Sequence, residues 1–200
     1  MAAASPLLRL PVLVDDLTRV EDALLASVVA DDDFLTEVAS HLILAGGKRE
    51  RPAFSITAAA TALPVMTSAS DDVVMGAVSV ELVHLGSLYH DDVMDEAATR
   101  RTVPSVNARW GNLKAILAGD YLLARASEIA ASLGTEVAGL LAATIGRLCE
   151  GQILELKDAF NAERTEASYL ASIDGKTASL LGTACRVGGI VAGLPRDHID

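Results

Sequence analysis

The chain has 200 residues, 51% hydrophobic and only 4% aromatic, enough for one domain with a sizeable core. Its formal net charge of −11 excludes nucleic acid and anionic membrane surfaces as general partners, because both repel such a surface at long range. An anion can bind only at a local basic cluster. The two cysteines, Cys149 and Cys185, lie far apart in apolar helical stretches without zinc-ligand spacing, so they read as buried thiols of a cytoplasmic protein.

The first residues, MAAASPLLRLPVLVDD, lack a basic leader, and Pro6, Arg9 and Pro11 interrupt their apolar run. Residues 1–14 are expected to be a mobile arm preceding one helical domain over residues 15–200. From Asp15 to Ala30, Leu17, Val20, Leu24, Leu25 and Val28 recur at the spacing of one helix face. Asp31 to Asp33 offer N-cap oxygens to a second helix, which carries Phe34, Leu35, Val38 and Leu42 and stops at Gly46-Gly47. A third helix follows with Pro52 in its first turn, where a missing N–H costs nothing. The long central helix is expected from about Asp72 to about Asp95, with Val73, Val80, Leu82, Val83 and Leu88 feeding the core. After a polar stretch from Glu96 to Asn107 and a turn at Gly111-Asn112, three more helices are expected: Leu113–Leu133, Glu136 to about Phe160, and Thr165 to about Gly193. Runs of alternating β-branched residues are missing, which makes the fold all-α. The apolar segment Ala178–Leu194 contains Arg186 and falls short of the roughly 20 residues of a membrane span, so stable membrane insertion is not expected.

Two clusters carry chemistry. In Gly46-Gly47-Lys48-Arg49-Glu50-Arg51-Pro52, glycines admit backbone N–H groups to an anion, Lys48 adds a point charge and the arginines add planar forks that match phosphate oxygens. Taken alone, the cluster equally suits a helix C-cap followed by a solvated basic turn. The second cluster, Asp91-Asp92-Val93-Met94-Asp95, sets Asp91 and Asp95 one helical turn apart, with Asp92 three residues from Asp95. Three converging carboxylates repel one another unless cations neutralise them, and hard oxygen ligands favour Mg²⁺ shared with substrate phosphates. His84 precedes Asp91 by two turns on the same stripe, and Arg100 and Arg101 follow across a short polar segment from which they can return to the phosphates.

These clusters, with ELVHLGSLYHDDVMDEAATRRTVPSVNARWGN, AGDYLLARA, GQILEL at Gly151–Leu156 and GKTASL at Gly175–Leu180, closely resemble the trans-polyprenyl diphosphate synthase family. The resemblance implies a bundle of long helices around a deep central cavity, a homodimer, and Mg²⁺-dependent head-to-tail condensation of isopentenyl diphosphate with an allylic prenyl diphosphate. It implies that Lys48, Arg51 and His84, assisted by Arg101, bind the diphosphate of isopentenyl diphosphate. Asp91 and Asp95, backed by Asp92, would hold Mg²⁺, and Arg100 the allylic diphosphate. Lys176 and Thr177 match a later allylic contact, and Gln152 a position lining the same cleft. Glu50 stands where the family often has an apolar residue. The family's second Asp-rich motif does not follow Thr177, so the chain is expected to be the N-terminal portion of a longer enzyme. A terpene cyclase, or a non-catalytic or regulatory subunit of a heteromeric synthase, are the alternatives. The small residues Gly86 and Ser87, one turn before Asp91, suggest an open tunnel floor and a long polyprenyl product, unless the ring of Tyr89 turns inward.

Overall fold

The computed structural model describes residues 11–63, 65 and 67–200. Among the described residues, ten α-helices make up most of the backbone: α1 (Pro11–Ser27), α2 (Asp33–Leu44), α3 (Glu50–Ala60), α4 (Asp71–Met94), α5 (Val106–Trp110), α6 (Asn112–Ser132), α7 (Thr135–Lys157), α8 (Glu166–Ile173), α9 (Ser179–Val191) and α10 (Arg196–Ile199). The fold is all-α, as composition and periodicity imply. The strands β1 (Thr99–Arg100) and β2 (Val103–Pro104) form one small antiparallel hairpin between α4 and α5.

Helix α4 is the axis of the bundle, packed by α1, α3, α6 and α9. Its start is fixed by Ser70, whose hydroxyl accepts from Val73 N at 3.3 Å, and Asp32 caps α2 in the same way through Leu35 N at 2.7 Å. Val73, Val80, Leu82, Val83 and Leu85 of α4 are all buried, so this helix shows apolar groups on every side and has no amphipathic stripe. Both α4 and α7 are long and apolar enough to cross a membrane; in α4 72% of the apolar window is buried in the protein, against 22% in α7.

Helix α1 begins at Pro11, four residues before the expected start, with Leu13 fully buried. Proline, read from sequence as an interruption, instead occupies a first-turn position that needs no N–H. Of the expected arm, residues 1–10 fall outside the described residues, and residues 11–14 belong to α1.

The final helix expected from Thr165 to about Gly193 is realised as α8 and α9 joined without a break by a π-helical turn, Asp174–Ala178. The cause is a close crossing with α7. A Cβ on Gly151 would lie 2.5 Å from the Lys176 nitrogen, and one on Gly175 would lie 2.9 Å from the Gly151 Cα. Two glycines meeting backbone to backbone let the widened turn press into α7, and π turns of this kind recur at functional sites.

Candidate active site

Helices α3, α4, α7 and the π turn enclose a cavity of about 470 Å³, lined among others by Arg51, His84, Ser87, Asp91, Asp95, Arg100, Gln152, Lys176 and Thr177. A second, more polar cavity of about 270 Å³ is lined by Gly47, Lys48, Arg49, Glu50, Arg51, Glu81, His84 and Arg101. Arg51 and His84 belong to both, so the basic cluster and the acidic cluster form two ends of one cleft. Every residue to which the resemblance assigns a substrate or metal contact, except Asp92, lines one cavity or the other.

At the acidic end, Asp91 and Asp95 face the cavity while Asp92 does not. Asp92 is fully buried, and its Oδ1 accepts from Arg100 Nε at 2.8 Å and is ion-paired with Nη2 at 2.5 Å. The expected convergence of three carboxylates is therefore not found: consecutive helical residues point about 100° apart, and Asp92 is spent on orienting Arg100. No group of three or more His, Cys, Asp or Glu side chains is placed to hold a metal among the described residues. The remaining pair still fits Mg²⁺, which is usually bound by one or two carboxylates together with substrate phosphates and water. Burial raises the pKa of Asp91, Lys176 across the cavity opposes that shift, and neighbouring Asp95 adds to it. A bound cation would relieve both the burial and the repulsion.

The π turn brings Lys176 and Thr177 to the same wall, where Lys176 Nζ donates to Glu155 Oε2 at 2.7 Å. Beside them, Gln152 is buried and its Oε1 has no hydrogen-bond partner among the described residues, as is true of Arg51 Nε. Buried polar atoms rarely go unpaired in a finished structure, so each marks capacity for a polar ligand on the cleft wall.

The basic end is more differentiated than its sequence suggests. Lys48 is 75% exposed at the cavity mouth, near Glu50 Oε1 at 3.7 Å. Arg49 is buried. Its backbone is left-handed, with φ of 49°, and this turns its side chain inward between Lys48 and Arg51. There it donates through Nη2 to Glu21 Oε2 at 3.0 Å and to the Ile43 carbonyl at 3.1 Å, and through Nη1 to Glu81 Oε1 at 3.0 Å. Of the three cations, Arg49 is thus a structural strut, leaving Lys48 and Arg51 for a ligand. His84 is driven down to about 3, first by burial and then by the guanidiniums of Arg51 and Arg101, so its imidazole is neutral and offers hydrogen bonds without charge.

The β1–β2 hairpin sorts the two arginines that follow the acids. Its two-residue turn, Arg101-Thr102, has φ of 51° and 68°, left-handed at both positions as in a type I′ hairpin but without the usual glycine or asparagine. Arg101 is tied by Nη1 to the Leu42 carbonyl at 2.8 Å and to the Gly46 carbonyl. Arg100 consequently lines the acidic cavity and Arg101 the basic one. This separation and Glu81 were both missed from sequence. Glu81 had a readable signal: it is the lone acid in the apolar run between Asp72 and Asp91.

Three further expectations change. Gly86 is not a tunnel floor, because an added Cβ would lie 3.0 Å from the Gly119 carbonyl and 3.1 Å from Leu123 Cγ; it is a contact glycine between α4 and α6. Only Ser87 of that pair lines the cavity. The ring of Tyr89 is fully buried away from the cleft, its hydroxyl donating to the Val38 carbonyl at 2.8 Å. Cys149, expected to be buried, is exposed on the cavity wall, and Cys185 is half-buried.

The chain is similar to known proteins over nearly its whole length. It is 41% identical over 184 residues to the nonaprenyl diphosphate synthase of Mycobacterium tuberculosis, covering 92% of this chain and 54% of that protein. It is 41% identical, again over 184 residues, to heptaprenyl diphosphate synthase component 2 of Geobacillus stearothermophilus, covering 92% and 56%. Among solved structures, the polyprenyl synthase of Caulobacter crescentus, complexed with calcium and isoprenyl diphosphate, superposes with a TM-score of 0.88 at 31% identity, covering 96% of this chain and 57% of that one. The chain thus spans about half the length of the curated relatives it matches. The polyprenyl synthetase family model matches residues 32–200, and the chain belongs to that family.

Proposed function

We propose that this chain supplies the substrate-binding half of a chain-elongating trans-prenyltransferase, which condenses isopentenyl diphosphate with an allylic prenyl diphosphate. The observation that carries the reading is the single cleft with a basic end and an acidic end, joined through Arg51 and His84. Lys48, Arg51, His84 and Arg101 hold the diphosphate of isopentenyl diphosphate at the basic end. Asp91 and Asp95 hold Mg²⁺ at the other, and Arg100, Lys176 and Thr177 contact the allylic diphosphate there. The metal's chemistry is to neutralise charge on the leaving diphosphate.

The protein's own groups do the rest. Arg100, fixed by Asp92, and Lys176, fixed by Glu155, stand ready where negative charge grows as the allylic C–O bond breaks. The allylic carbon bonds to the isopentenyl double bond, and the proton that the product loses passes to the departing diphosphate. Leu88 and Leu148, with the half-exposed Ile153 and Leu156, form the apolar lining against which the carbocation is held. Ser87, small and facing the cavity, leaves room for a growing tail, which supports a long-chain product. The exposed apolar face of α6, including Leu113 and Leu117, supports a homodimer.

A second reading is favoured by one observation: a relative at 41% identity is named as component 2 of a heptaprenyl diphosphate synthase, so this chain could act within a heteromeric enzyme. The elongation reading is tested by Lys48→Ala in the intact protein. Lys48 touches neither the metal end nor the core, so the KM for isopentenyl diphosphate should rise by roughly tenfold, the size of one charge-assisted phosphate contact, with the KM for the allylic substrate unchanged. An unchanged KM for isopentenyl diphosphate would count against it.

A further inference from the structure

Glu81 occupies an unusual position on α4. It is 2% exposed and lies beneath the basic cavity, where Arg49, Arg51 and Arg101 also sit. Its Oε1 is 3.0 Å from Arg49 Nη1 and 3.9 Å from Arg101 Nη2. The second distance is too long for a hydrogen bond. Arg101 is instead positioned by the Leu42 and Gly46 carbonyls, and Arg49 by Glu21 and the Ile43 carbonyl. Gly47 packs directly against both guanidiniums: a Cβ there would lie 2.8 Å from Arg49 Nη1 and 2.9 Å from Arg101 Nη1. Three guanidiniums therefore line one small cavity, with Arg49 and Arg101 placed largely by contacts other than Glu81. Beyond its one hydrogen bond from Arg49, what Glu81 adds is charge.

We propose that Glu81 is a resident counter-ion of this cavity, which holds the arginine cluster together while the cavity is empty and lowers its affinity for an incoming diphosphate. The inference rests on the diphosphate reading of the basic end. An empty cavity lined by Lys48, Arg49, Arg51 and Arg101 would push itself apart without a buried negative charge. The same charge, fixed beside the site, repels a bound diphosphate and favours its release. Glu81 is thus an affinity-setting residue and does not itself bind substrate. Burial raises its pKa above the ordinary carboxylate value, and the guanidiniums of Arg49, Arg51 and Arg101 oppose that shift.

The test is the affinity of the intact protein for isopentenyl diphosphate, measured calorimetrically without added metal so that the acidic end repels the ligand, together with the melting temperature of the free protein. Glu81→Gln keeps the shape and removes the charge. It should melt lower when empty yet bind at least roughly tenfold tighter, a lower bound, because one unit charge removed at several ångströms in a medium of effective dielectric near 20 is worth more than that. Affinity that is unchanged or weaker overturns the proposal. Glu21→Gln is the control, since it removes Arg49's other partner, which is partly exposed and outside the cavity: melting should fall and affinity rise by clearly less than in Glu81→Gln. A gain equal to that of Glu81→Gln would also overturn the proposal. Should Glu81→Gln fail to fold, Glu81→Asp draws the charge back by one methylene and should tighten binding two- to threefold; no gain there overturns the idea equally. If wild type binds no better than Arg51→Ala, the diphosphate reading of this end fails, and the counter-ion proposal falls with it.

Discussion

Asp91→Ala and Asp95→Ala in the intact protein each lower kcat with the allylic substrate by at least about a hundredfold, the cost of removing one preorganised electrostatic group from a reacting centre. Both carboxylates face the cavity, one turn apart at the C-terminal end of α4, where Asp95 is the capping residue, and both carry the metal-binding role proposed for this end. The fold should tolerate either change, because Asp95 is exposed and Asp91 only half-buried. Asp92→Ala should behave differently. Asp92 is fully buried against Arg100, so its loss frees an arginine in a partly buried place and lowers the melting temperature as well as activity. Steady-state kinetics and thermal melts on the three variants separate these outcomes. Wild-type turnover in Asp91→Ala or Asp95→Ala would contradict the metal role, and an Asp92→Ala protein of unchanged stability would contradict its assignment as a strut.

Gly188→Ala is expected to be the most damaging small substitution in the described structure. A Cβ at Gly188 of α9 would stand 2.0 Å from the Ser55 carbonyl oxygen and 2.8 Å from its carbon, where α3 and α9 cross backbone to backbone. Neither atom is the end of a flexible side chain, so the helices must separate. The expected loss is about 3 kcal/mol, at the upper end of overpacking costs, and it should be seen as a fall in melting temperature of roughly 6–12 °C for a domain of this size. Gly182 is the internal control, since it lies in the same helix with open space around it. Alanine there should stabilise by up to about 1 kcal/mol through helix propensity alone. If both variants melt together, the close crossing of α3 and α9 is wrong.

Much of the helical frame was readable from sequence because its signals are local. The ends of α4, expected at about Asp72 and Asp95, fall at Asp71 and Met94, since Ser70 caps one end and a polar stretch follows the other. What escaped depends on contacts distant in sequence. The π turn at Asp174–Ala178 follows from Gly175 meeting Gly151 on another helix, which no local pattern announces. The β1–β2 hairpin is two residues on each side and lacks the turn glycine that would advertise it. At the site, residue types were legible while directions were not. Lys48, Arg49 and Arg51 look alike as a charge run, yet the left-handed backbone at Arg49 buries that one side chain against Glu21 and Glu81. Asp91, Asp92 and Asp95 look like one ligand set, although Asp92 is buried against Arg100 while Asp91 and Asp95 line the cavity.

Elongation is read from the products of the intact protein supplied with Mg²⁺, an allylic primer and labelled isopentenyl diphosphate. Labelled prenyl diphosphates longer than farnesyl, formed by repeated addition, are expected. Consumption of the primer without incorporation of the label, or release of a cyclic hydrocarbon in place of a longer diphosphate, would contradict it.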